Sequence, residues 1–159
     1  QSNMNNAVGV ADIITMERAG VLVGLGTDAM TSNMLEELRA ALWAQHLSAK
    51  NPAVGFVEVG TALFVNNPKI AGRVFGFPLG ELREGGLADI VIMDYDPPTP
   101  LDGSNYWGHM VFGVSQAAVD TTIVGGKVLM ENKRLALDID EQRVNARARE
   151  LATKMWQRL

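Results

Sequence analysis

Cysteine is absent from the chain. That excludes a disulfide framework, a thiolate nucleophile and a cysteine-ligated zinc in one step. Histidine is almost as scarce, with only His46 and His109. Charge of one sign is not in excess: the formal net charge is −4, and no run of like charges forms a tail, so a nucleic-acid partner is excluded as a default. Long apolar runs are missing too. The longest stretch, Val54 to Val65, is broken by Glu58 and punctuated by Gly55 and Gly60, far short of a bilayer span. The opening Gln1-Ser2-Asn3-Met4-Asn5-Asn6 has neither an initiator Met nor a basic-then-apolar leader. It reads as a chain cut from something longer, with part of the opening open to being a cloning scar. No internal repeat or low-complexity tract is present. These absences fit a cytoplasmic protein that interacts with neither nucleic acid nor membrane.

What is present suits one folded domain: 159 residues, 47% hydrophobic and 20% charged. Apolar spacing in Ala7 to Arg18 predicts a helix ending at Gly20, and Val21-Leu22-Val23-Gly24-Leu25 predicts a buried strand that stops at Gly26-Thr27-Asp28-Ala29. From Ser32 the period turns helical. Met34, Leu35, Leu38, Ala41, Leu42 and Leu47 form the stripe, Glu36, Glu37 and Arg39 lie off it, and Ser32 or Asn33 supplies the cap. Asn51-Pro52 closes that helix. A further helix is expected from Glu58 to about Asn66, and another from Asn67-Pro68 to Gly76.

After Gly80 the character changes to β. Leu87 to Asp94, Val119 to Val124 and Lys127 to Met130 read as strands of one sheet, with Gly125-Gly126 as a tight hairpin turn. Asp140 to Leu159 reads as an amphipathic helix with Val144, Ala148, Leu151, Ala152, Met155 and Leu159 on one face. A strand followed by helices, then a small antiparallel sheet, looks like the end of a (β/α) barrel joined to a second layer.

The candidate chemistry is sparse. Asp28 ends a buried apolar run, where barrel enzymes place their reactive groups, with Gly26 beside it to let the backbone approach a ligand. Taken alone, Asp28 reads as the cap of a turn or of the next helix. Ser2, Asn3, Asn5 and Asn6 could hydrogen-bond a substrate ring; the plainer reading is a satisfied turn or a disordered terminus, with disorder favoured for a free end. His46 is expected on a helix surface. Tyr106, Trp107 and His109 are expected to be structural packing of the small domain in a late loop, with the histidine hydrogen-bonded; a small ligand pocket is the sharper alternative. Asp89 is expected to satisfy a turn backbone, Asp94 and Asp96 to be solvated, and the scattered methionines to be core filler.

Four stretches, in order, resemble the amidohydrolase superfamily. Gly26-Thr27-Asp28 with Ser32-Asn33 and the following Leu-Glu-Glu-Leu-Arg helix looks like its barrel strand eight. Ser2-Asn3-Met4-Asn5-Asn6 looks like the loop after strand seven. Gly80 to Asp94 looks like the junction into the small β-sandwich, and Val124-Gly125-Gly126-Lys127-Val128 like its closing hairpin. The branch it is most similar to comprises chlorohydrolases and aminohydrolases acting on triazines and nucleobase-like rings, together with selenium-metabolism aminohydrolases.

The resemblance implies an α/β chain: the C-terminal piece of a metal-dependent (β/α)8 barrel in residues 1–79, then part of a small antiparallel β-sandwich and a C-terminal helix in residues 80–159. It implies a parent that hydrolyses a non-peptide C–N bond of a small cyclic nitrogen compound, as a deaminase or a chlorohydrolase. Zinc or iron would activate the water, with Asp28 as the catalytic residue and metal ligand, and Ser2, Asn3 and Asn5 would touch the substrate. This chain departs from the family pattern because the His-X-His pair and the two single histidines of the metal site are missing. One carboxylate cannot hold a catalytic zinc. The chain alone is therefore expected to carry no metal, to be inactive, and to form homo-oligomers through exposed barrel surfaces. A non-catalytic binding or interaction module on the same fold is the alternative.

Overall fold

The computed structural model describes residues 1–158. Seven helices and four strands follow one another: α1 (Ser2–Asn5), α2 (Ile13–Arg18), α3 (Met34–Ala49), α4 (Phe56–Thr61), a π-helical turn (Ala62–Asn66), α5 (Asn67–Phe75), β1 (Ile90–Asp94), α6 (Tyr106–Phe112), β2 (Ala118–Val124), β3 (Lys127–Glu131), β4 (Arg134–Leu135) and α7 (Glu141–Trp156). A 3-10 turn, Val114–Gln116, links α6 to β2. No helix among the described residues is long and apolar enough to cross a membrane.

Helix α3 organises the molecule. Asn33, one of the two expected caps, accepts from the Leu35 and Glu36 amides, and Lys50 ends the helix in the left-handed conformation. Leu38 and Leu42 are 1% and 0% exposed, and with Ile13, Val59, Ala62, Leu63 and Val111 they form the core. Burying each of those leucines contributes about 1.5–3 kcal/mol. One member of the expected stripe and one residue expected off it change places. Leu47 is 81% exposed, whereas Glu37 is buried. The last apolar position of the period thus lies outside the core.

The expected helix over 7–18 is shorter than its apolar spacing suggested. Only Ile13–Arg18 is helical, because Asp12 accepts from the Thr15 amide and starts the helix there. The helices expected around Glu58 and Pro68 form, but they join through the π-helical turn. In α4, Gly60 lets the Trp107 ring lie where a Cβ would meet it at 2.6 Å. The segment expected to be a late loop is helix α6. Its aromatics pack across the molecule on Phe64, with ring centroids at 6.2 Å for Tyr106 and 5.8 Å for Trp107, not within the small sheet. Burial raises the pKa of the Tyr106 phenol.

The expected sheet is present as an antiparallel meander in the order β1-β2-β3-β4, with Ile90 opposite Ile123 and Val124 opposite Lys127. Gly125 and Gly126 both have positive φ, at 55° and 77°, as a two-residue primed turn requires. The short β4 had no apolar alternation to announce it. It forms because Asn132 and Lys133 adopt the same left-handed pair, at 50° and 61°. Helix α7 starts at its Asp140 cap and buries none of its residues. Leu159, assigned to the apolar face of that helix, lies outside the described residues.

Candidate active site

The Val21 to Leu25 run does not form the expected strand. It pairs with no other strand among the described residues, though Val23 and Leu25 pack on the core. Its backbone is held by side chains instead. The Leu25 amide donates to Asn67 Oδ1 at 2.9 Å, and Asn67 Nδ2 donates back to the Leu25 carbonyl at 2.8 Å. Asn66 Nδ2 donates to the Val23 carbonyl at 2.9 Å and to Glu17 Oε2 at 3.0 Å. The close approach is made at Gly24, where a Cβ would fall 2.1 Å from Asn67 Oδ1. Gly26, expected to give this freedom, has open space around it.

Asp28 lies just beyond that segment, as expected, in a tight turn. Asp28 and Ala29 have φ of 49° and 61°, and the Met30 amide donates to the Thr27 carbonyl at 3.0 Å. Aspartate tolerates the left-handed region better than most residues, but alanine does not, so the turn holds some strain. The Asp28 carboxylate is exposed and accepts from Ser2 Oγ at 2.6 Å. Ser2 is buried in α1 and in turn accepts from Asn6 Nδ2 at 3.3 Å. The opening segment is thus an ordered helical turn, not the disordered end that its polar sequence suggested.

Asp28 and Ser2 share a cavity of about 200 Å³ with Asn3 at its rim. Its walls are the Val23 to Gly26 backbone and, from α3, Glu37, Ala41 and Gln45. Asn5 does not reach this cavity; its side chain donates to Asn6 Oδ1 at 3.2 Å. Small side chains on α3 leave the space, and two buried polar groups line it. Gln45 Nε2 donates to the Ala11 carbonyl at 2.9 Å. Glu37 Oε2 accepts from the Gln1 amino group at 2.8 Å, while its Oε1 is buried without a partner.

The remaining candidates lie elsewhere. His46 is half-buried, not on the surface. Its ring packs on Phe56 at 5.5 Å, and its Nε2 is buried without a partner. His109 is buried and structural, as expected. Nδ1 pairs with the Tyr95 hydroxyl at 2.6 Å and Nε2 with the Thr99 hydroxyl at 3.1 Å. Asp89 takes the expected backbone role, accepting from the Gly125 amide at 2.6 Å in the hairpin turn. Asp94 is exposed but ion-paired with Lys133, which raises the lysine's pKa.

No cluster of three or more metal-binding side chains occurs among the described residues. Asp28 is a single donor with a serine hydroxyl beside it, and a catalytic zinc needs about three protein ligands. The residues of this chain therefore do not by themselves make a metal site. What they offer is the Asp28 carboxylate, hydrogen-bonded to Ser2 at a cavity that the Glu37 carboxylate also lines.

The amidohydrolase family model matches residues 1–129. Among curated proteins, the chain is 35% identical over 98% of its length to a 5-methylthioadenosine/S-adenosylhomocysteine deaminase of Carboxydothermus hydrogenoformans, and 37% identical over 98% to the protein so named in Desulforudis audaxviator. It spans 36% of each. Among solved structures, an adenosine deaminase of Xanthomonas campestris with bound zinc superposes with a TM-score of 0.76 over 98% of this chain and 36% of that one, at 23% identity. Atrazine chlorohydrolase of Arthrobacter aurescens in complex with zinc gives 0.71 over 94% and 34%, at 25% identity. The apolar segment ending in Gly-Thr-Asp, the α3 helix behind it and strands β1 and β2 of the sheet that follows lie within the family match, and the chain belongs to the amidohydrolase family.

Proposed function

We propose that the full-length protein carrying this chain is a hydrolase that deaminates a nucleoside-type compound. In this reading water adds to a ring carbon, the exocyclic C–N bond breaks, and ammonia leaves. Asp28 accepts a proton from the attacking water and returns it to the departing nitrogen, the general base and then general acid of one cycle. Ser2 holds the carboxylate by its 2.6 Å hydrogen bond. Asn3 stands at the cavity rim to meet the substrate, and Asn5 acts only through a different arrangement of α1. The single observation that carries the reading is the Asp28 carboxylate, exposed at the mouth of a cavity and fixed by Ser2.

A divalent metal, zinc as in the two related structures, would take its remaining ligands from residues outside this chain. Residues 1–79 would then close the barrel, and residues 80–159 would complete a small second layer. Apolar side chains left open, such as Val91 and Phe75, favour self-association. The test is ammonia release by the full-length, zinc-loaded protein from 5-methylthioadenosine, S-adenosylhomocysteine, adenosine and a chlorotriazine. Activity on the purine compounds with an Asp28→Asn variant at least a hundredfold slower supports the reading, since loss of general acid–base work costs about 10²–10⁴. Wild-type turnover in the variant would leave Asp28 a turn residue and refute it.

A further inference from the structure

An extended apolar segment ordinarily satisfies its backbone by pairing with strands on either side. Among the described residues the segment that leads to Asp28 has no strand beside it, and side chains hold part of its backbone. Asn67 presents a side-chain amide that both donates to and accepts from Leu25, at 2.8 and 2.9 Å. Those two bonds copy what one residue of an antiparallel neighbour would supply, because a hydrogen-bonded pair exchanges both of its N–H···O bonds. Two residues along the same segment, Asn66 takes the Val23 carbonyl. The asparagines come from the end of a π-helical turn and the start of α5. Single π-turns within helices concentrate at functional sites. Gly24 completes the arrangement, since any side chain there would collide with Asn67 Oδ1.

We infer that Asn67, assisted by Asn66, is a positioning residue that sets where Asp28 stands. The inference rests on the reading of Asp28 as the reactive carboxylate. Only Gly26 and Thr27 separate the clamped Leu25 from Asp28. A shift of the Leu25 backbone therefore passes directly into the turn that carries the carboxylate. Ser2 Oγ holds that carboxylate from the other side. The clamp thus fixes the backbone and Ser2 fixes the side chain, so the carboxylate has one position and not a range. Neither asparagine reaches the cavity, so neither touches substrate. Gly24 lines it through its backbone, and for that variant the split between kcat and KM separates direct contact from displacement.

The test uses the full-length, metal-loaded protein and four variants: Asn67→Ala, which removes both bonds; Asn67→Asp, which keeps the shape and the acceptor but loses the donor; Gly24→Ala, which retains the asparagine but displaces its side chain; and Asp28→Asn. Turnover is expressed per folded molecule, from the folded fraction measured at the assay temperature. The expected result is a fall in kcat of roughly ten- to a hundredfold for Asn67→Ala and Gly24→Ala with KM within about twofold, because an ångström of misplacement can cost about a hundredfold. Asn67→Asp should lie between these and the unaltered protein. Combining Asn67→Ala with Asp28→Asn should slow the enzyme no further than Asp28→Asn alone, as for residues that act through one group.

A purely structural role predicts instead a smaller folded fraction with unchanged kcat per folded molecule. That result overturns the inference, and so do losses per folded molecule that multiply in the double variant. Should Asn67→Ala not fold, Asn67→Asp and Gly24→Ala decide by the same criterion. Unimpaired turnover in Asp28→Asn would refute the assignment of the site itself. Loss in Asp28→Asn with none in the Asn67 variants would refute the clamp alone.

Discussion

Val21 to Leu25 and Ile90 to Asp94 are apolar runs of the same length, and they end up in different structural states. Ile90 to Asp94 becomes β1 and pairs along its length with β2, from Ile90 opposite Ile123 to Asp94 opposite Ala118. Val21 to Leu25 has no strand beside it among the described residues and is held by Asn66 and Asn67. Burial runs the other way. Val23 and Leu25 pack against the core, whereas Val91 and Ile92 in β1 are 57% and 49% exposed. A run of apolar side chains thus specifies what has to be buried. It does not specify where the backbone finds its hydrogen bonds, which depends on a partner far along the chain.

Four changes would sharpen or break that contrast. The largest is Leu42→Ala, in the core under the first run. It should cost about 2–5 kcal/mol and raise amide exchange at Leu25, whose amide donates to Asn67, while leaving β1 protected. Equal loosening of both runs in hydrogen exchange would show that they share one cooperative unit. Next is Gly125→Val, which forces a β-branched residue into positive φ at the hairpin that supplies β1 with its neighbour. A penalty of about 1–2 kcal/mol is expected, confined in exchange experiments to β1–β3.

A smaller effect, about 0.5–1.5 kcal/mol, is expected from Asp89→Ala, which removes the acceptor for the Gly125 amide. Thermal unfolding with exchange at Gly125 measures it, and an unprotected Gly125 amide in the unaltered protein would contradict the bond. The smallest effect is one of pH. The Thr15 side chain first, and then its amide, hold Asp12 below the usual carboxylate range. The charged form is therefore favoured on folding, so its contribution to α2 is complete above the ordinary carboxylate pKa and fades as pH falls through the lowered one. Exchange across residues 13–18 should rise in that acidic window, and Asp12→Asn should remove the dependence.

Much of this was readable from local chemistry. The Asn33 cap, the Asp140 cap and the Gly125-Gly126 turn act over a few residues, so sequence carries them, whereas the partner of Asp89, the Gly125 amide, lies far along the chain and is set by the sheet. Asp28 stands out in the sequence because an apolar run ending in Gly-Thr-Asp is a local pattern, although the run forms no strand among the described residues. Asn66 and Asn67 were read only as the boundary between two helices. Their partners lie about forty residues upstream, and no local pattern marks an amide that will pair with a distant backbone. Glu37 was missed for a related reason. It sits beside the apolar stripe, and only the packing of α1 and the Val23 to Gly26 segment against α3 buries it.

The sequence by itself therefore determined helices α3, α4, α5 and α7, the hairpin and the family, because caps, turns and periodicity are energies of neighbouring residues. Tertiary structure decided what the first apolar run pairs with, that Ser2 reaches Asp28, and that α6 packs on Phe64 away from the sheet. Those outcomes follow from which surfaces are brought together. Hydrogen-bond and packing partners are set by three-dimensional proximity, which residues distant in the chain acquire only on folding.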